Sequence, residues 1–102
     1  MKKCTQDTYH RFFSNLANPL KLDIILTLRE REMNVTELVK VLNVEQSKVS
    51  HALTSLKDCK IVEVKVKGKQ RIYSLNRKTI LPMLKLIDKH ASTQCACCPW
   101  RK

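Results

Sequence analysis

Glycine is almost absent from this chain. Among 102 residues there is one, Gly68, alongside three prolines and one tryptophan. A single glycine rules out glycine-rich phosphate loops and the dinucleotide fingerprint, both of which need several at fixed spacing. Acid is also scarce, with 9 Asp and Glu against 20 Lys and Arg and a formal charge of +11. No pair of carboxylates, no nucleophile beside a base and no phosphate loop stands out, so an enzyme is not expected. Apolar runs are short, none near the length of a membrane span, and Met1-Lys2-Lys3 leads into no signal-peptide core. These absences predict a cytoplasmic protein with no membrane partner. Its five cysteines would then be reduced thiols, suited to metal binding or redox chemistry rather than a structural disulfide.

What the chain does contain is helical periodicity centred on Asn34 to Cys59. Asn34 precedes Glu37 by three residues, the spacing of a capping box, and Leu38, Val39, Val41 and Leu42 follow on one side. Asn43 tolerates the left-handed conformation of a sharp turn. Val49, Ala52, Leu53 and Leu56 then form a narrow apolar stripe. Opposite that stripe lie Gln46, Ser47, Lys48, Ser50, His51, Thr54 and Lys57, with no acid among them. A helix-turn-helix presents such a second helix to the major groove of DNA.

Upstream, Tyr9, Phe12, Phe13, Leu16 and Ala17 give an amphipathic helix over 5–17. Asn18-Pro19 is a cap followed by proline at the first helical position. Leu20, Leu22, Ile24, Ile25, Leu26 and Leu28 cover nearly all sides of the second helix, which should be the central core element. Downstream, Val62, Val64 and Val66 alternate with Glu63 and Lys65 over 61–66, the period of a strand. Lys67-Gly68 supplies a turn, and 70–75 returns as a weaker strand. The hairpin tip is cationic, with Lys65, Lys67, Lys69 and Arg71. A last helix starts near Thr79 with Pro82 in its first turn and carries Ile80, Met83, Leu84, Ile87 and Ala91. The expected architecture is mainly α with a small β-hairpin wing, ordered α-α-α-α-β-β-α. Residues 1–91 would form a winged helix-turn-helix domain and 92–102 a cysteine-rich tail.

Three stretches resemble the ArsR/SmtB repressors. Leu16-Ala17-Asn18-Pro19-Leu20-Lys21-Leu22 is similar to that family's LANPLRL at the start of the second helix. Residues 46–53, QSKVSHAL, resemble its QSTVSRHL recognition helix, and residues 58–62, DCKIV, its DAGLV step into the wing. The resemblance covers about 5–91. It implies a homodimer joined through the first and last helices, on a palindromic double-stranded DNA operator that an inducer releases. Gln46, Ser47, Lys48, Ser50, His51 and Thr54 would read or position the groove. Lys67, Lys69 and Arg71 would meet phosphates. Phe12 and Leu84 would sit at the subunit contact.

The departures are specific. Ala52 stands where the family usually has histidine, and Asn34-Val35-Thr36 replaces the CVC pair of arsenic-sensing relatives. Asp88-Lys89-His90 resembles half of a DxH zinc site whose other half would fall near Arg101, where no ligands exist. Cys59 matches one cysteine of a cadmium/lead-sensing subgroup, while Ser55 replaces its other recognition-helix cysteine. Packing is the favoured role for Cys59. That subgroup also has a cysteine near the N-terminus, as Cys4 is here. Cys95, Cys97 and Cys98 put three thiols within four residues, a pattern that packing rarely produces. If the first and last helices pair at a dimer interface, Cys4 could converge with them on one thiophilic ion. Three-thiol arsenic(III) ranks first, because adjacent Cys97 and Cys98 are awkward for a tetrahedral cadmium or zinc site. Two rival readings remain: a thiol redox switch on the same DNA-binding fold, and a basic nucleic-acid-binding module with a structural zinc.

Overall fold

A computed structural model describes residues 3–93, with side chains from residue 7 onward. Five helices and one hairpin follow in order: α1 Lys3–Ala17, α2 Pro19–Glu30, α3 Val35–Leu42, α4 Gln46–Asp58, β1 Val62–Lys67, β2 Gln70–Leu75 and α5 Ile80–Thr93. This is the expected order. The last helix continues two residues past 91, and β1 is shifted one residue toward the tip relative to 61–66.

Local chemistry sets most boundaries. Asn18 caps α2 by accepting from the Lys21 amide at 3.0 Å, with Pro19 at the first helical position. At α3 the capping box is complete: Asn34 Oδ1 accepts from the Glu37 amide at 2.8 Å, and Glu37 Oε1 accepts from the Asn34 amide at 3.1 Å. Asn43 closes α3 in the left-handed region, at φ 54° and ψ 49°. The α4 terminus is a Schellman arrangement, with the Lys60 amide donating to Lys57 O and the Ile61 amide to Leu56 O, both at 3.0 Å. Lys60 is therefore left-handed, at φ 60°, without being glycine.

The core forms around α2. Ile24, Ile25 and Leu28 meet Leu38 from α3, then Val49, Leu53 and Leu56 from α4. Ile61, Val62, Leu75, Ile80 and Leu84 close it from the wing base and α5. Each such side chain, fully removed from water, contributes about 1.5–3 kcal/mol. The wing is antiparallel, from Val62↔Leu75 to Lys67↔Gln70, and turns through two residues, Gly68 and Lys69. Gly68 has φ 63°, which a two-residue hairpin turn asks of its first central position. Met33 adds a one-residue third strand: its amide donates to Tyr73 O at 3.0 Å, and its carbonyl oxygen accepts from the Tyr73 amide at 2.8 Å. Nothing in the local pattern around Met33 signals this, because its strand partner lies forty residues away.

Several apolar residues are not where periodicity puts them. Leu26 of α2 is 42% exposed, so that helix is not covered on all sides, and Val41 of α3 is 55% exposed. In α1, Tyr9 and Phe13 are exposed while, among its described side chains, the buried one is polar Asn15. Phe12, by contrast, packs against the core, and Leu84 is only 6% exposed. Within the subunit Leu84 is therefore a core residue, and Phe12 is half-buried against that core.

Candidate nucleic-acid interface

The candidate recognition surface is the outward face of α4. Val49, Ala52, Leu53 and Leu56 are all buried, and this fixes the rotation of the helix on the core. Gln46, Ser47, Lys48, His51, Thr54 and Lys57 consequently face solvent, with Ser50 half-buried at the margin. The Thr54 hydroxyl donates to Ser50 O at 3.1 Å, so it can offer a DNA base only its lone pairs and methyl group.

The wing cations divide between two faces of the hairpin. Side chains alternate along a strand, so Lys65 and Lys67, opposite Ile72 and Gln70, share one face. Arg71, opposite Val66, lies on the other, and Lys69 occupies the turn. All four are exposed. Lys67 Nζ lies 3.3 Å from Glu32 Oε1, an ion pair that ties the wing to the loop after α2 and offsets the charge of Lys67.

Behind the recognition face runs a chain of side-chain hydrogen bonds that links three helices. Lys21 Nζ donates to Ser55 Oγ at 3.1 Å. Ser55 Oγ donates to Asn15 Oδ1 at 2.9 Å, and Asn15 Nδ2 donates to Cys59 Sγ at 3.1 Å. This chain explains buried Asn15, whose polar groups would otherwise cost about 1–3 kcal/mol each. No sequence period flags it, since the partners are 40 and 44 residues apart.

Of the four expected thiol ligands, Cys4 falls in the first turn of α1 and its side chain is outside the described set. Cys95, Cys97 and Cys98 lie outside the described residues. Among the described residues no three His, Cys, Asp or Glu side chains come together as a metal site. Cys59 is half-buried at the end of α4 and holds the Asn15 contact, a packing role. Asp88 is taken by Arg29, at 2.6 Å between Oδ2 and Nη2, which joins α5 to α2.

A basic two-stranded wing beside a helix whose exposed face is polar and basic up to its terminal Asp58, held on a helical core, defines a winged helix-turn-helix DNA-binding domain. Comparison with known proteins agrees. Residues 18–64 match the model of the bacterial regulatory proteins of the arsR family. The probable mercury resistance operon repressor of Streptomyces lividans is 31% identical over 93% of this chain and 79% of its own length. The transcriptional repressor SmtB homolog of Synechocystis is 30% identical over 78% of this chain, and the chain spans 60% of that protein. The solution structure of the homodimeric winged helix-turn-helix domain of Mb0332 from Mycobacterium bovis superposes with a TM-score of 0.79 over 86% of this chain and 82% of that one, at 23% identity. The chain belongs to the ArsR family of transcriptional regulators, not enzymes. Among the described residues no helix is long and apolar enough to cross a membrane.

Proposed function

We propose that this chain is a dimeric, cytoplasmic repressor that holds a palindromic operator and releases it when a thiophilic ion binds its cysteines. The observation that carries the DNA-binding half is the polar, basic outward face of α4 over Gln46 to Lys57, fixed in rotation by four buried residues on its other side and meeting its one acid, Asp58, only at the C-terminal end. Gln46, Ser47, Lys48, Ser50 and His51 reach base edges and adjoining phosphates, and Thr54 extends that row. Lys67, Lys69 and Arg71 meet the flanking backbone. Two copies place their recognition helices about 34–36 Å apart, one turn of DNA.

For the inducer, support comes from the thiol set Cys4, Cys95, Cys97 and Cys98 and from the mercury resistance operon repressor among the relatives. Thiolates are soft ligands that suit arsenic(III), cadmium and zinc. The triplet begins two residues beyond the end of α5, so an ion bound there acts directly on that helix. A hundredfold loss of DNA affinity requires about 2.7 kcal/mol of coupling.

The decisive experiment titrates operator DNA with the protein in the presence of arsenite, cadmium, zinc, lead, mercury(II) or peroxide. We expect at least one of the ions to weaken binding. A triple variant, Cys95→Ser with Cys97→Ser and Cys98→Ser, should keep its DNA affinity and ignore that ion. Release by peroxide alone would replace the ion by a redox switch. A triple variant that still responds to every ion would remove the tail from the sensing role.

A further inference from the structure

Between the start of α2 and the DNA-facing half of α4 lies an open cleft of about 490 Å³, lined by Asn18, Leu20, Lys21, Ser47, Lys48, His51 and Ala52. Three of these, Ser47, Lys48 and His51, belong to the proposed reading face of α4. Two, Lys21 and Lys48, are cations contributed by different helices, and no acid lines the cleft. The helix end adds little of its own: Pro19 has no N–H, and the Lys21 amide is already taken by Asn18 Oδ1.

We propose that this cleft seats a phosphate of the DNA backbone, and that Lys21 is a DNA contact outside the helix-turn-helix and wing. Three observations converge. The cleft opens beside the residues that would enter the major groove, so a groove-bound strand necessarily passes its mouth. Its charge is wholly cationic, which suits an anion with a diffuse charge and no base identity. And Lys21 is not a free surface lysine: it borders both this cleft and the adjoining hollow lined by Asn15, Ser55 and Asp58, and its ammonium is held at that border by Ser55 Oγ, whose own proton is committed to Asn15. One of the three ammonium donors is thereby spent on positioning, and two remain for phosphate oxygens. Bracing also removes part of the rotamer entropy that a lysine otherwise loses on contact. The sequence hides this role, because Lys21 reads there as one polar residue on an apolar core helix.

The proposal rests on the DNA-binding reading, and salt dependence separates the two. The affinity of the full-length protein for a 30-base-pair operator duplex and for an unrelated duplex is measured between 50 and 300 mM KCl. For Lys21→Gln we expect roughly tenfold weaker binding to both duplexes, and a log–log salt slope shallower by about 0.9 per protomer. Lys21→Arg should restore the slope. Ser55→Ala keeps the charge but loses the brace, so it should lower affinity with the slope unchanged. Lys89→Gln, on α5 away from the cleft, should match wild type in both. A wild-type slope in Lys21→Gln, with its thermal midpoint intact, overturns the seat while leaving DNA binding standing. A uniformly weakened variant with an unchanged slope would make Lys21 a brace for α4 and also overturn it. Wild-type protein with no salt-dependent binding to either duplex would overturn the DNA-binding reading itself.

Discussion

Lys60 shows how a single residue can carry strain for the sake of a turn. The Schellman end of α4 requires a left-handed residue, and the family pattern places glycine there, yet this chain has lysine at φ 60°. A side chain in that region costs about 1–2 kcal/mol. Glycine would relieve it but give back part through its freer unfolded state and the lost charge at a helix C-terminus. Lys60→Gly should therefore stabilise the fold by about 0.5–1 kcal/mol, read as a higher urea midpoint with an unchanged slope. A second prediction concerns Glu37, whose carboxyl is held below its ordinary value of 4.5, first by the hydrogen bond with the Asn34 backbone and then by Arg31. A lowered folded value means that the carboxylate's contribution is present above 4.5 and disappears as pH falls through the folded value. Glutamine keeps the capping geometry without the charge. The stability advantage of wild type over Glu37→Gln should thus shrink between neutral pH and pH 3 in urea titrations. An advantage that grows on acidification would refute the sign.

At the scale of elements, the wing joins local design to electrostatics. Alternation splits its cations between two faces, and the Glu32 ion pair leaves Lys67 the least free of them. Exposed pairs of this kind contribute at most about 1 kcal/mol to stability, so the pair matters more for the field that DNA meets. Glu32→Gln should strengthen DNA binding, by electrophoretic mobility shift at low salt, with little change in thermal midpoint. Lys69→Ala and Arg71→Ala should weaken binding on all sequences and each reduce the salt slope by about one. If either changes preference among sequences at constant slope, the wing reads bases instead.

The whole molecule leaves apolar surface uncovered. Tyr9 and Phe13 stack at 6.4 Å between ring centroids on the outside of α1. Leu26, Leu86 and Ile87 are between 42% and 68% exposed, and Leu26 and Ile87 line a groove of about 440 Å³ with Leu16, Leu22 and Leu84. Contiguous patches of this kind mark interfaces. The proposed dimer would cover them. Phe13→Lys with Ile87→Lys should give monomers that bind operator weakly, measured by sedimentation and titration. Leu84→Ala should instead destabilise each subunit by about 2–5 kcal/mol, because Leu84 is core. Wild-type protein that sediments as a monomer at micromolar concentration would contradict the dimer.

The sequence by itself determines the elements and the reading helix of this protein. Capping at Asn18 and Asn34, the left-handed Asn43 and the Val49–Ala52–Leu53–Leu56 stripe act within one or two turns of chain, where spacing alone decides which atoms meet. The polar, basic face opposite that stripe follows from the same geometry. Only the tertiary structure decides which of several apolar residues at equivalent spacing are covered: Phe12 and Leu84 inward, Phe13, Leu26 and Ile87 outward. Burial depends on which helix arrives opposite, and periodicity cannot name that partner. The same holds for the Lys21–Ser55–Asn15–Cys59 chain, the Arg29–Asp88 pair and the Met33–Tyr73 bridge. Their partners stand 34 to 59 residues apart, and packing of the core is what brings them within hydrogen-bonding distance.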